Sequence, residues 1–426
     1  MDRRRFLSRT LAGVVALRAD AHAVLHAATQ AAVARPPEGL AEDEDFWMQV
    51  RHAFTIDRNH INLNSGSVSP APQSVQRAVE QYWTVMNMSP SLYVDEQLIP
   101  RLEVPRRHLA SLFGCDPEEI AITRNTSEAM QIVQFGLPLK PGDEVLTTTQ
   151  DYPRMLTAWR QREARDGIVL KTVPFPVPPE SHDDLVRRLE RAITPRTRVI
   201  LICHVTYTTG QIFPVRQVCQ MARARGIETI VDGAHGFAQF PFTRDELDCD
   251  YYATSLHKWL TAPIGTGFLY VRRSKIGSVW PLMAAPPTMK DDIRKFEQIG
   301  TFPVAIPGGI TEAATFHASL GGARKAARLR YLRRRWANRV RDVPRVRVLN
   351  HEDPAHTCGL GALDVDGVPA AALTAFLERE YRIHVRPRFV EGEFSCIRVA
   401  PNVFTTLEEV DLFATAIERA ATHGIG

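Results

Sequence analysis

The chain has 426 residues, 44% of them hydrophobic and 23% charged, with a formal net charge of +4. That length suits two globular domains, and the balance is ordinary for a folded globular protein. So small a positive excess gives no ground for a nucleic-acid or membrane partner, and no apolar run approaches the ~20 residues that span a bilayer.

The chain opens Met1-Asp2-Arg3-Arg4-Arg5-Phe6-Leu7-Ser8 and runs into a short apolar stretch, Leu11 to Leu17. Adjacent arginines ahead of Phe-Leu, with small-x-small cleavage sites at Ala21-His22-Ala23 and Ala32-Val33-Ala34, read as a twin-arginine (Tat) signal and periplasmic export. The alternative is a merely basic terminus on a cytoplasmic protein. Arg35 to Asp45 reads as a polar, Pro-bearing linker. His60 to Asn64 alternates like a short strand ending in the turn residues Ser65-Gly66-Ser67, and a helix is expected from about Gln73 to Met88. From Val104 to Val271 short β-branched runs alternate with amphipathic segments. Strands are expected at Glu119–Thr123, Glu144–Thr148, Arg198–Val205, Glu228–Val231 and Tyr251–Thr254, with helices between them near Ala129–Val133, Met155–Asp166 and Val215–Arg225. Continuous rather than alternating apolar strands separated by helices predict an α/β fold, with a mostly parallel sheet covered on both faces. Ala323 to Val348 is strongly basic around Arg333-Arg334-Arg335 and reads as the solvated face of a long helix. It lacks the interleaved aromatics of a nucleic-acid module. Strands near Gly361–Val365 and Ser395–Val399 and helices near Ala370–Tyr381 and Leu407–Ala421 predict a compact α+β ending. Six cysteines (Cys115, Cys203, Cys219, Cys249, Cys358, Cys396) are scattered without CxxC or metal-like spacing. They read as small buried or incidental thiols, and no metal is expected.

Three local patterns bear on chemistry. Thr254-Ser255-Leu256-His257-Lys258-Trp259-Leu260 is followed by the glycine-rich return strand Gly265-Thr266-Gly267-Phe268-Leu269-Tyr270. A lone lysine is ordinarily a surface charge, but this one stands beyond a strand end, where parallel sheets place ligands and where an amine can titrate low enough to be a nucleophile. In Val231-Asp232-Gly233-Ala234-His235 the aspartate ends a buried strand. It is either a helix N-cap or a carboxylate that keeps a pyridine nitrogen protonated. In Arg124-Asn125-Thr126-Ser127-Glu128 the residues form either a capping box or a helix start with hydroxyls that cradle a phosphate.

Taken together, these motifs make the chain, from about Ile61 to Leu412, resemble the class V aminotransferases of pyridoxal 5′-phosphate (PLP) fold type I, the group of cysteine desulfurases and isopenicillin N epimerases. The resemblance implies a large domain around a seven-stranded-type, mostly parallel sheet plus a smaller C-terminal α+β domain. The expected limits are 1–34 for signal and leader, 35–70 for linker and gate segment, 71–310 for the PLP-binding domain and 311–426 for the small domain. It further implies a Schiff base of PLP on Lys258, with Asp232 and His235 at the ring. Thr126, Ser127, Ser255 and His257 would form a phosphate cup. Thr301, in Gly300-Thr301, would lend a phosphate contact to the neighbouring subunit of a homodimer. Arg398, ahead of Asn402-Val403-Phe404-Thr405-Thr406, resembles the arginine that clamps a substrate α-carboxylate through bidentate pairing.

The departures are as informative. The stacking position over the ring, often histidine, is Tyr152, which keeps the surface but loses the imidazole. Where the family often has asparagine against the ring hydroxyl, this chain offers Thr206 or Tyr207. Between Val385 and Ile397 a persulfide-forming desulfurase carries a loop cysteine, whereas here the only cysteine is Cys396, directly before the arginine strand. That disfavours a desulfurase. Asn64, in Asn64-Ser65-Gly66-Ser67, resembles the substrate gate of the epimerase-like branch. The expected activity is therefore a PLP-dependent change to an amino acid or aminoacyl substrate, of epimerase or aminotransferase type. Two alternatives are C–S lysis and a periplasmic enzyme that modifies a siderophore-peptide glutamate, as in pyoverdine maturation. In the second, Arg386 and Arg388 would meet the side-chain carboxylate unless they are ordinary surface arginines. An inactive binding protein on the same fold is the non-enzyme alternative.

Overall fold

A computed structural model describes residues 29–30 and 35–425; the predicted export signal lies outside the described residues. Among the described residues, thirteen strands and their helices build three sheets. Strand β1 is Ile61–Asn62, and β2 to β8 are Ile120–Thr123, Glu144–Thr148, Val169–Val173, Thr197–Cys203, Glu228–Asp232, Tyr251–Ser255 and Gly267–Val271. These seven, β2 to β8, form one sheet in the order β2-β8-β7-β6-β5-β3-β4, and only β8 runs against its neighbours. The doubly covered sheet expected from the apolar runs is borne out by burial. Period-2 alternation sends Ile200, Ile202, Val231 and Tyr252 into one core and Val199, Leu201, Ile230 and Tyr251 into another on the opposite face.

The smaller sheet is antiparallel, in the order β12-β13-β10-β9, from Arg386–Val390, Phe394–Val399, Gly361–Val365 and Val346–Val348 respectively. Helices Ala370–Tyr381 and Leu407–His423 pack on it through Phe376, Leu377, Phe413 and Ile417. Strand β1 pairs in parallel with β11 (Ile383–His384), so the entry segment is tied to the C-terminal half before the chain reaches the large sheet.

Three sequence readings are corrected. The segment expected as a linker, Arg35 to Asp45, begins a packed helical pair, Pro37–Ala41 and Glu44–His52. Leu40, Phe46, Trp47 and Val50 are buried there, because the few apolar side chains fall on one face. The basic helix, Gly322–Val340, is not a solvated face: Lys325, Arg328 and Arg333 are buried. Arg328 donates to the carbonyls of Ala41 and Thr405, and the Lys325 ammonium donates to the carbonyl of Trp259, so these charges pin backbone from other elements. Its outer members, such as Arg335 and Arg339, make surface pairs, with Asp411 and Glu418, and Arg328 also pairs with Glu44. Thirdly, Arg386 to Phe394, read as a loop, is largely strand β12, hairpinned onto β13. The cysteines behave as read: five are buried, Cys115 is partly so, and all are free.

Candidate active site

The C-terminal ends of the large-sheet strands open into a cavity of about 370 Å³ between the two sheets. Five of the parallel strands deliver a residue there, which is where an open parallel sheet collects ligands. Strand β2 leads into helix Thr126–Gly136, β3 into Tyr152, β5 ends at Cys203, β6 at Asp232 and β7 at Ser255 with Lys258 just beyond. Of the residues proposed from sequence, Thr126, Ser127, Tyr152, Asp232, His235, Ser255, His257, Lys258 and Arg398 all line this one cavity. Thr301 does not; it is exposed, outside the cavity of its own chain.

The turn that carries Lys258 is held from several sides. The amide of Leu256 donates to the carbonyl of Thr266 at 2.9 Å, that of Ala262 to Leu256 at 3.1 Å, and that of Ser69 to His257 at 2.9 Å. Burial lowers the Lys258 amine to about 8, although the Asp232 carboxylate opposes the shift. Asp232 is itself pushed up to about 6 by burial, against the hydrogen bond that its Oδ1 accepts from the amide of Ala234 at 3.0 Å. Asp232 thus ties its own turn and faces the cavity, but it caps no helix, since the next helix starts only at Arg244. His235 is buried, with its Nδ1 accepting from the Trp259 indole at 3.3 Å, and burial keeps its imidazole neutral.

At the start of helix Thr126–Gly136, Asn125 accepts from the amide of Glu128 at 2.9 Å, while Glu128 reaches back to the amide of Arg124 at 2.6 Å. Capping and ligand readings coexist, because the cap leaves the Thr126 and Ser127 ends of the helix on the cavity wall. Ser255 Oγ lies 2.7 Å from Thr126 Oγ1 and accepts from the Thr126 amide at 2.9 Å, which locks strand β7 to the helix start. Gly267 permits that closeness: a Cβ there would meet the carbonyl of Thr254 at 2.6 Å and Cα of Asn125 at 2.9 Å. His257 Nδ1 lies 3.1 Å from the carbonyl of Thr266. A carbonyl only accepts, so Nδ1 carries the proton, and burial holds the ring near 4 and neutral.

On the opposite wall Arg398, on β13, is 2% exposed. Its Nη2 donates to Asn64 Oδ1 at 2.8 Å and Ser67 Oγ at 2.6 Å, and its Nη1 to the carbonyl of Tyr207 at 3.1 Å. Every partner is neutral, and burial lowers this guanidinium to about 9, with Arg388 repelling it in addition. Asn64 thus meets Arg398 rather than the cavity, so it acts through the arginine. Of the two residues expected in place of asparagine, Tyr207 lines the cavity, 5.2 Å from Tyr152 in an edge-to-face pair. Thr206 is buried against Thr209 and Gln211.

Sequence reasoning missed three contributors. Ser67 follows Asn64 in the same turn and shares its partner. Cys203 ends β5 in register with Asp232, so the strand-end rule could have found it. Its thiol donates to Asp151 Oδ1 at 3.0 Å, and burial holds it protonated. Asp151 also accepts from Thr147, Thr148 and the Thr148 amide, fixing the turn that presents Tyr152.

Comparison with known proteins agrees with this geometry. The sequence profile of the family described as aminotransferase class-V matches residues 61–413. The chain is 31% identical over 391 residues to isopenicillin N epimerase of Streptomyces clavuligerus, spanning 87% of this chain and 98% of that one. It is 34% identical over 219 residues to a probable cysteine desulfurase of Pseudomonas aeruginosa, spanning 49% and 53%. Among solved structures, a C-DES mutant with glycine covalently linked to its PLP cofactor superposes with a TM-score of 0.78 at 23% identity, over 86% of this chain and 98% of that one.

Proposed function

The chain belongs to the aminotransferase class-V family of PLP enzymes, and from that premise we propose that it moves the α-proton of an amino acid or aminoacyl substrate, as an epimerase does. The observation that carries this reading is a single cavity that holds a low-titrating amine, Lys258, together with the Asp232 carboxylate and the carboxylate-free guanidinium of Arg398. The residues fit the cofactor: a helix start with hydroxyls for a phosphate, a carboxylate for a ring nitrogen and a primary amine for an aldehyde.

When bound, PLP supplies an aldehyde that condenses with amines and a ring that accepts the electron pair of a broken Cα bond. Thr126, Ser127 and Ser255 would hold its phosphate, and His257 would offer Nε2, which a dianion would draw toward protonation. Asp232 would hold a proton at the ring nitrogen. Lys258, with its amine near 8, is partly unprotonated at neutral pH and attaches the cofactor. With its amine free, Lys258 would take and return the α-proton of the substrate. Arg398 orients the α-carboxylate, and such positioning contributes large rate factors.

Persulfide chemistry is disfavoured by the thiols themselves. Cys396 is buried on β13 and pushed up to about 12, and Cys203, which does line the cavity, is held as a donor to Asp151. Transamination and C–S lysis share the same residues and remain the alternative outcomes, as does modification of a siderophore-peptide glutamate. Further parts of the reading are Tat export to the periplasm through residues 1–34 and a homodimer. The dimer is supported by the exposed Thr301, which does not line the cavity of its own chain, and by the exposed Trp83, Met88 and Leu92.

Purified protein is expected to be yellow, to trap PLP on Lys258 with borohydride, and to exchange substrate α-protons into deuterated water across an amino acid panel. A protein that takes up no PLP, or PLP-loaded protein that exchanges no α-proton, would overturn the proposal. Replacing Arg3 and Arg4 by lysine should stop export of a reporter fused to residues 1–34, and sedimentation should give twice the chain mass.

A further inference from the structure

Arg386 and Arg388 stand two apart on β12 and so share one face of the strand, but only Arg388 lines the cavity. Arg386 is exposed and outside it, whereas Arg388, opposite Cys396 on β13, lines it beside Arg398. Arg388 is half-buried, and its guanidinium lies 5.7 Å from the centre of the Tyr207 ring. Its Nη1 reaches only the carbonyl of Pro387, at 3.2 Å, and its Nε has no partner. The Nε of Arg398 is equally without a partner.

Among the described residues neither guanidinium pairs with a carboxylate, although other arginines such as Arg106 and Arg294 do so. Arg106 grips Glu297 through both Nη atoms at 2.6 and 2.9 Å, and Arg294 grips Glu103 and Glu118. Two like charges brought into one cavity with only neutral hydrogen-bond acceptors destabilise each other; Arg388 lowers the proton affinity of Arg398, while burial and Arg386 lower that of Arg388. Anions that enter the cavity relieve that cost through charge-assisted, bidentate hydrogen bonds. An α-carboxylate satisfies one of the two. The cofactor phosphate does not serve the other, because its cup is built by helix Thr126–Gly136 and strand β7, while Arg388 sits on β12 against Tyr207.

We infer that Arg388 is a second anion subsite, and that the substrate is an α-amino acid or aminoacyl group bearing a further carboxylate on its side chain. This rests on the reading of Arg398 as the α-carboxylate clamp. Tyr207 supports the subsite by holding the Arg388 guanidinium over its ring and by giving its carbonyl to Arg398, so the two cations are spaced by one residue.

The test is calorimetric titration of PLP-loaded protein with the amine-free ligands succinate, glutarate and adipate, each compared with butyrate. At least one diacid is expected to bind about tenfold more tightly than butyrate, since a buried charge-assisted pair is at stake. Arg388→Leu should remove that preference, Arg388→Lys should keep part of it, and Arg386→Leu should keep all of it. Arg388→Gln serves the same purpose should the leucine variant prove insoluble. Diacids that bind no better than butyrate, or a preference that survives in both Arg388→Leu and Arg388→Gln, would overturn the inference. These ligands form no bond to the cofactor, so the outcome is independent of borohydride trapping on Lys258, which reads the proposed chemistry separately.

Discussion

The Lys258 amine is the group on which the chemistry turns, and its titration can be measured without any substrate. In the protein without PLP, burial brings it to about 8, so at that pH half of it is the neutral nucleophile. An ordinary lysine with a pKa of ~10.4 has roughly one part in 250 neutral there, so Lys258 should react about a hundred times faster than surface lysines of equal access. Because a lowered amine pKa means deprotonation at lower pH, reactivity should climb with pH through about 8 and then level off. Asp232 is the main group that opposes the shift, and Asp232→Asn keeps the acceptor for the Ala234 amide while removing the charge. The inflection in that variant should move to lower pH. The assay is competitive labelling with an acylating reagent over a pH series, with Lys258 quantified by peptide mass spectrometry. Peptide resolution matters because buried Lys325 also titrates low, at about 7. An inflection in the ordinary lysine range, or a shift to higher pH in Asp232→Asn, would refute the assignment of burial and Asp232 as the opposing forces.

Asn64→Ala and Ser67→Ala each remove an acceptor from Arg398, and each should raise the substrate KM about tenfold with a smaller change in kcat. Steady-state kinetics on the PLP-loaded enzyme checks this, and an effect confined to kcat would contradict it. Tyr152→Phe should retain PLP as wild type does, whereas Tyr152→Ala should release it a few times more readily, the usual worth of an aromatic contact; equilibrium dialysis gives the comparison. Arg106→Met strands Glu297 and the Ile120 carbonyl beside a buried site and should cost about 3 kcal/mol in urea unfolding. A loss below about 1 kcal/mol would show that the pair is worth no more than an ordinary hydrogen bond.

Much of the site was legible in the sequence because one rule places it. Runs such as Val199–Ile202 and Glu228–Val231 can only be strands buried on both faces, and parallel strands all point their C-terminal ends the same way. Asp232, Thr126, Tyr152 and Lys258 each follow such a run, so their convergence was implied before any coordinate was known. The short motifs around them then carried the resemblance to a family.

Where a chain segment has no such run, local sequence gave no direction. Arg386-Pro387-Arg388 lacks the apolar alternation of a strand, yet it is one, at the edge of the smaller sheet, where a proline is tolerated. Alternation puts both arginines on one face, and only the packed structure decides that Arg388 lines the cavity while Arg386 is exposed. The same holds for Lys325 and Arg328, whose charges announce a surface until helix Gly322–Val340 is packed against the carbonyls they reach, and for Arg333, which the same packing buries. Periodicity fixes which residues share a face of an element, whereas the identity of what that face meets depends on chain brought in from hundreds of residues away. For a charged side chain, that partner decides whether it ends in solvent or in the site.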